Sequence, residues 1–174
     1  MKTLQVFWVA LCMVLVLALT GCQKDIVYSQ FVPVSFPNGT ITSYPNGTIT
    51  GTITSSGEWP MDSVVRFDYP INDAEHDYRL IVYVRHTGRY PYQNMWLFIS
   101  DGVSRDTIEF YLADDRGQWL GDKHHGFMEM PVLIEENKHF PDTGKYVLEV
   151  QHGMRDTLLR GVTDVGLEIV RIDN

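Results

Sequence analysis

The chain has 174 residues, with 14 basic against 22 acidic side chains and a formal net charge of −8. That balance repels phosphate backbones and anionic headgroups alike, and it argues against a nucleic-acid partner. Its two cysteines, Cys12 and Cys22, both stand near the N-terminus, so the rest of the chain has no disulfide and no cysteine metal site to replace packing as the source of stability.

Residues 1–21 read as a lipoprotein signal peptide. Behind Lys2, Val6 to Leu19 form an apolar run of about 14 residues, which suits a signal-peptide core and is short of the ~20 residues that span a bilayer. The run ends in Leu19-Thr20-Gly21-Cys22, the order of a lipobox: a branched apolar residue, two small residues that fit a peptidase cleft, then a thiol that takes a diacylglyceryl group. Cys22 is therefore the expected lipidated N-terminus of the mature chain and its link to the membrane, because two or three acyl chains hold stably where one holds only marginally. Gln23 is compatible with sorting to the outer membrane, and Lys24-Asp25 only partly resembles a surface-export signal. The expected location is the outer membrane, facing the periplasm, with the cell surface left open.

Residues 22–58 read as a lipidated tether rich in Ser, Thr and Gly. Pro37-Asn38-Gly39-Thr40-Ile41-Thr42 recurs as Pro45-Asn46-Gly47-Thr48-Ile49-Thr50, and Gly51-Thr52-Ile53-Thr54 repeats its second half. Asn-Gly favours turns and Thr-Ile-Thr an extended backbone, but nothing here promises a buried face, so the expectation is a loosely extended linker reaching on the order of 100 Å if stretched.

Residues 59–174 read as one all-β domain. Apolar side chains alternate with polar ones at Val65, Phe67 and Tyr69; at Leu80, Val82 and Val84; at Ile108, Phe110 and Leu112; at Tyr146, Leu148 and Val150; and at Val165, Leu167 and Ile169. Period two marks half-buried strands. Met95 to Ile99 and Val132 to Ile134 are continuous apolar runs, ambiguous by periodicity alone. Turn chemistry separates these segments, including Thr87-Gly88, Asp101-Gly102, Asp115-Arg116-Gly117 and Arg160-Gly161, and no long helical pattern is present. Seven to nine antiparallel strands at this spacing predict a two-sheet, jelly-roll-like β-sandwich.

Chemistry is sparse. His124-His125 with Asp122 and Glu129 is the nearest approach to a metal set, but adjacent histidines on an extended chain point apart and no third ligand stands at a known spacing, so no metal or other cofactor is expected. No nucleophile elbow or zinc-protease motif occurs. Asp114-Asp115 and Glu135-Glu136 read as turn or edge charges, so the chain is expected not to be an enzyme. Aromatics carry more weight: Trp59 and Trp119 sit beside turn residues and are partner-surface candidates, whereas Trp96 in its apolar run is expected in the core. Arg155 joins the surface candidates because it follows a Gly-Met turn at a strand end, where a guanidinium pairs readily with a partner carboxylate.

Three segments, Trp59 to Val65, Tyr90 to Ile99 and Asp106 to Leu112, together with Gly117-Gln118-Trp119-Leu120-Gly121, Glu136 to Pro141, Gln151-His152-Gly153-Met154-Arg155 and Gly161 to Leu167, resemble in order the blocks of the GldH gliding-motility lipoproteins of Bacteroidota. The resemblance covers nearly all of residues 59–170. It implies a non-enzymatic envelope lipoprotein associated with gliding and type IX secretion, acting through contacts with other envelope, gliding or secretion proteins, and it transfers no catalytic residue. It also brings that lineage's O-glycosylation pattern, Asp-Ser/Thr-apolar, at Ser63, Thr107 and Thr157. The repeated tether departs from the family as an insertion. The alternative reading is a glycan-binding surface lipoprotein, with the aromatics as a platform for sugar rings.

Overall fold

The computed structural model describes residues 25–34, 47–50 and 58–172. Twelve strands run in chain order: β1 (Asp25–Pro33), β2 (Gly47–Thr50), β3 (Glu58–Pro60), β4 (Val64–Ile71), β5 (Asp77–His86), β6 (Asn94–Ser100), β7 (Arg105–Tyr111), β8 (Asp122–Lys123), β9 (Met128–His139), β10 (Gly144–His152), β11 (Leu158–Arg160) and β12 (Val162–Ile172). No helix occurs among the described residues, and so none there is long and apolar enough to cross a membrane.

The strands form two five-stranded sheets, ordered β1-β12-β5-β9-β8 and β2-β4-β10-β6-β7, with β3 and β11 as a separate two-stranded ribbon. All pairings are antiparallel. Successive long strands repeatedly cross between the sheets, which is the interleaving of a jelly roll, and the sandwich expected from the alternating pattern is what forms.

The inner faces explain why the strands alternate. Val65, Phe67, Tyr69 and Ile71 of β4 face Leu80, Val82 and Val84 of β5 and Val165, Leu167 and Ile169 of β12 within one apolar core. Tyr69, Tyr78, Phe140 and Tyr146 add an aromatic cluster at the end where β5 and β10 begin, with ring centroids 4.6 to 6.2 Å apart. Aromatic rings in tilted and edge-on arrangements contribute beyond their buried area.

Part of the expected tether belongs to the domain. Asp25–Pro33 is strand β1, paired along its length with β12, and Tyr28, Val32 and Val34 are buried in the core. Its outward side is also used: Phe31 packs on Tyr83, and Arg85 lies 3.5 Å over the Phe31 ring while bonding Glu129 at 2.6 Å. Gly166 makes this possible, because a Cβ there would come within 2.5 Å of the Phe31 ring. Within the repeat segment, Gly47–Thr50 extends the second sheet as β2 beside β4. The rest of residues 35–57 and the signal peptide with Cys22 lie outside the described residues.

Both sheets run between the same two ends. The start of β1, the end of β12 and the start of β5 meet at one end, tied by Asp25 to Arg171 at 2.5 Å and Arg171 to Asp73 at 3.9 Å. The opposite end collects the end of β5, the start of β6 and the end of β10, and the β3-β11 ribbon reaches it. Asp25 stands three residues after Cys22.

Candidate functional site

The end away from Asp25 carries the chemistry-bearing side chains. Trp59, expected on the surface, is fully buried there. The β3-β11 ribbon pairs Trp59 with Leu159 and turns its indole into the core, where Nε1 donates to the Ser63 carbonyl at 3.2 Å and the ring meets His152 edge-on at 5.1 Å. The neighbouring turn residues placed Trp59 near solvent in the sequence, but the remote pairing with β11 decides its direction. Ser63 is likewise fully buried, closed to modification, while Thr107 and Thr157 are exposed.

Trp119 is half-buried, its ring edge-on to His86 at 4.7 Å and 6.4 Å from Tyr90. The line continues from Tyr90 to Tyr92 at 5.9 Å, and the Tyr92 hydroxyl donates to Asp156 at 2.6 Å. That bond to the carboxylate raises the Tyr92 pKa above the ordinary phenol value.

Two histidines lie within this end. His86 Nδ1–H donates to the Thr87 carbonyl at 3.3 Å and His152 Nε2–H to the Trp59 carbonyl at 3.2 Å, because a carbonyl partner fixes each tautomer. The other nitrogen of each ring, Nε2 of His86 and Nδ1 of His152, has no hydrogen-bond partner among the described residues. Burial lowers both pKa values below the ordinary imidazole value, so both rings are neutral at pH 7.

Trp96 is the inverse of Trp59. Met95, Leu97 and Ile99 fill the core from β6, so Trp96 points outward and is 39% exposed. The chain after β10 crosses beside it: Gly153 N–H donates to the Trp96 carbonyl at 2.7 Å, and the Trp96 amide contacts the Met154 sulfur at 3.4 Å. A Cβ at Gly153 would lie 3.2 Å from both Trp96 and Phe98. The result is an open groove of about 400 Å³ lined by Tyr92, Asn94, Trp96, Gly153, Met154 and Arg155. Arg155 is exposed, and among the described residues no hydrogen bond or ion pair engages its guanidinium. Asn94 donates to Glu109 of the adjacent β7 at 2.6 Å. Trp96 was legible only as one letter of an apolar run; the parity of Met95, Leu97 and Ile99 is the signal that would have turned it outward.

His124 stacks on Phe127 at 5.0 Å in an exposed loop, and no group of three potential metal ligands converges among the described residues. Asp114 is committed to its own turn, accepting from Arg116 and Gln118 amides at 2.9 and 2.8 Å, and Glu136 pairs with Arg79 at 2.7 Å.

A family model described as GldH lipoprotein matches residues 51–169. A "Gliding motility lipoprotein GldH homolog" of Christiangramia forsetii is 33% identical over 129 residues, covering 67% of this chain and 80% of that protein. A "Gliding motility lipoprotein GldH" of Flavobacterium johnsoniae is 31% identical over 127 residues, covering 66% and 79%. Among solved structures, an exo-β-1,3-galactanase of Phanerochaete chrysosporium with galactose aligns at TM-score 0.38 and 10% identity over 82% of this chain and 29% of that one. A CBM35 of Cellvibrio japonicus Abf62 aligns at TM-score 0.34 and 15% identity, over 80% and 92%. Likeness at this level carries no functional argument.

Proposed function

The chain belongs to the GldH lipoprotein family, and from that premise we propose that it is a non-enzymatic component of the gliding-motility and type IX secretion apparatus, held at the outer membrane by lipid on Cys22 and facing the periplasm. The observation that carries this reading is the family match over residues 51–169. It acts by docking onto other envelope proteins through the end of the sandwich away from Asp25. There half-buried Trp119 stands beside Leu120, 37% exposed, and Arg155 offers an uncommitted guanidinium. An aromatic ring held by its neighbours contacts a partner at low entropic cost, which is why such rings anchor interfaces.

The test is photo-crosslinking in living cells from residue 120, followed by identification of the captured proteins, with protease shaving to establish the face. Capture of secretion or motility components that is lost in Trp119→Ala is the expected result. A gene deletion that leaves secretion, envelope integrity and motility unchanged would sink the reading.

A further inference from the structure

We propose that the groove over Trp96 is a binding site for a neutral polysaccharide, taking pyranose rings against the indole. The inference centres on the outer face of the second sheet around Trp96 rather than on Trp119 and Leu120, and it shares only Arg155 with the docking reading. Three aromatic side chains are exposed around this groove: Trp96, Tyr92 and, next to Asn94 across the β6-β7 ladder, Tyr111, which is 60% exposed. The outer face thus presents three exposed aromatic rings among polar groups.

The polar groups identify the ligand class. Glu109 uses one carboxylate oxygen for Asn94, and Asp156 uses one for Tyr92. Their second oxygens and the Arg155 guanidinium carry no bond among the described residues. Planar carboxylate, amide and guanidinium groups are each matched to a pair of adjacent hydroxyls, which both donate and accept. A protein partner with an apolar anchor would bury two carboxylates without matching donors, at a desolvation cost. A polyanion would meet those same two carboxylates and a chain of net charge −8. A neutral polyhydroxyl ligand meets neither obstacle, and the apolar C–H face of its ring covers the indole.

The shape agrees. The groove volume of about 400 Å³ falls within the ~300–1,000 Å³ range of ligand clefts. A second depression of about 130 Å³ continues along the same face past Phe98, Arg105 and Gln151. There Arg105 lies 4.4 Å over the Phe98 ring and bonds Gln151 at 3.0 Å, so a rigid planar donor follows the platform. Outward residues along β6 recur every ~7 Å, so Trp96 and the Phe98–Arg105 pair follow one another along the face, which suits a chain of sugars rather than a single one.

The lipidated protein in nanodiscs is to be titrated with cellohexaose, laminarihexaose and chitohexaose, reading heat of binding and protection of Trp fluorescence from iodide. At least one hexasaccharide is expected to bind and to protect the indole. Trp96→Ala is expected to weaken that binding about tenfold or more, the scale of a lost aromatic contact, while Trp96→Phe stays within about threefold. Leu133→Ala, exposed on the other sheet, is expected to change nothing. No binding by any of the three sugars at millimolar concentration overturns the proposal, as does equal binding by Trp96→Ala. A photoprobe at residue 96 that crosslinks to a protein, with no protection by sugar, also overturns it. Loss of crosslinks from residue 120 with sugar binding intact counts against the docking reading alone.

Discussion

At the scale of single residues, the two buried imidazoles give the protein a distinct acid response. His86 and His152 are both essentially inaccessible to solvent, and each keeps one ring nitrogen without a partner beside Trp119 and Tyr90 or beside Trp59. In the unfolded chain they protonate around the ordinary value of 6.5, while burial holds the folded values below it. Below pH 6.5 the unfolded state therefore binds more protons, and stability falls as pH falls. The urea midpoint is expected to be flat above about pH 7.5 and to drop between roughly pH 6.5 and pH 5, with His152→Gln removing part of the slope because an amide does not titrate, while it keeps a donor for the Trp59 carbonyl. A midpoint that rises across that interval contradicts the neutral buried rings. Asp73 and Asp101, held below the usual carboxylate range by backbone N–H bonds from Glu75 and from Ser104 and Val103, act with the same sign but in a separate window at lower pH.

At the scale of elements, the corner where β11 passes into β12 depends on Gly161. Its φ is +83, and a Cβ would fall 2.3 Å from the Tyr90 amide nitrogen, while its carbonyl accepts the Thr87 amide at 2.7 Å. Gly161→Ala is expected to cost well over ~1 kcal/mol. Gly117→Ala, at φ +76 with open space around it, is expected to show only the backbone strain, of about 1 kcal/mol. Equal urea midpoints for the two variants would show that the Tyr90 contact is slack. The strands with one face in the core were legible, because Phe67 sits between the polar Arg66 and Asp68 and because Leu80, Val82 and Val84, like Val165, Leu167 and Ile169, recur at every second residue. β1 was not. Its inward set of Tyr28, Val32 and Val34 is interrupted by Gln30 and displaced by a bulge between Ile26 and Tyr28, and its partner β12 is remote in sequence. Of the site, the exposed Arg155 could be read locally, while Trp59 and Trp96 exchanged places. Their directions are set by pairing with β11 and by the parity of β6, neither of which is visible in the adjacent residues.

At the scale of the whole molecule, β1 leaves little chain between Cys22, the expected lipid site, and the domain. Asp25 opens β1 three residues after Cys22, a reach of about 10 Å at most. The repeat follows β1 in the chain, and Gly47–Thr50 within it is β2, so it does not stand between Cys22 and β1. With lipid on Cys22, neutron reflectometry on supported bilayers is expected to place the domain directly on the headgroups. Ten Gly/Ser residues inserted after Gln23 are expected to open a water gap, and an extra repeat inserted between Phe36 and Gly47 is expected to open none. A gap in the second variant would restore the long tether. The same strand also sets how the molecule bears load. Were a partner on the proposed docking surface to pull against a lipid on Cys22, the tension would run along β1, across hydrogen bonds that stand perpendicular to it. The β1-β12 ladder is then loaded in shear, all of its bonds sharing the force at once, so the attachment resists being stripped one bond at a time when a partner pulls against the membrane.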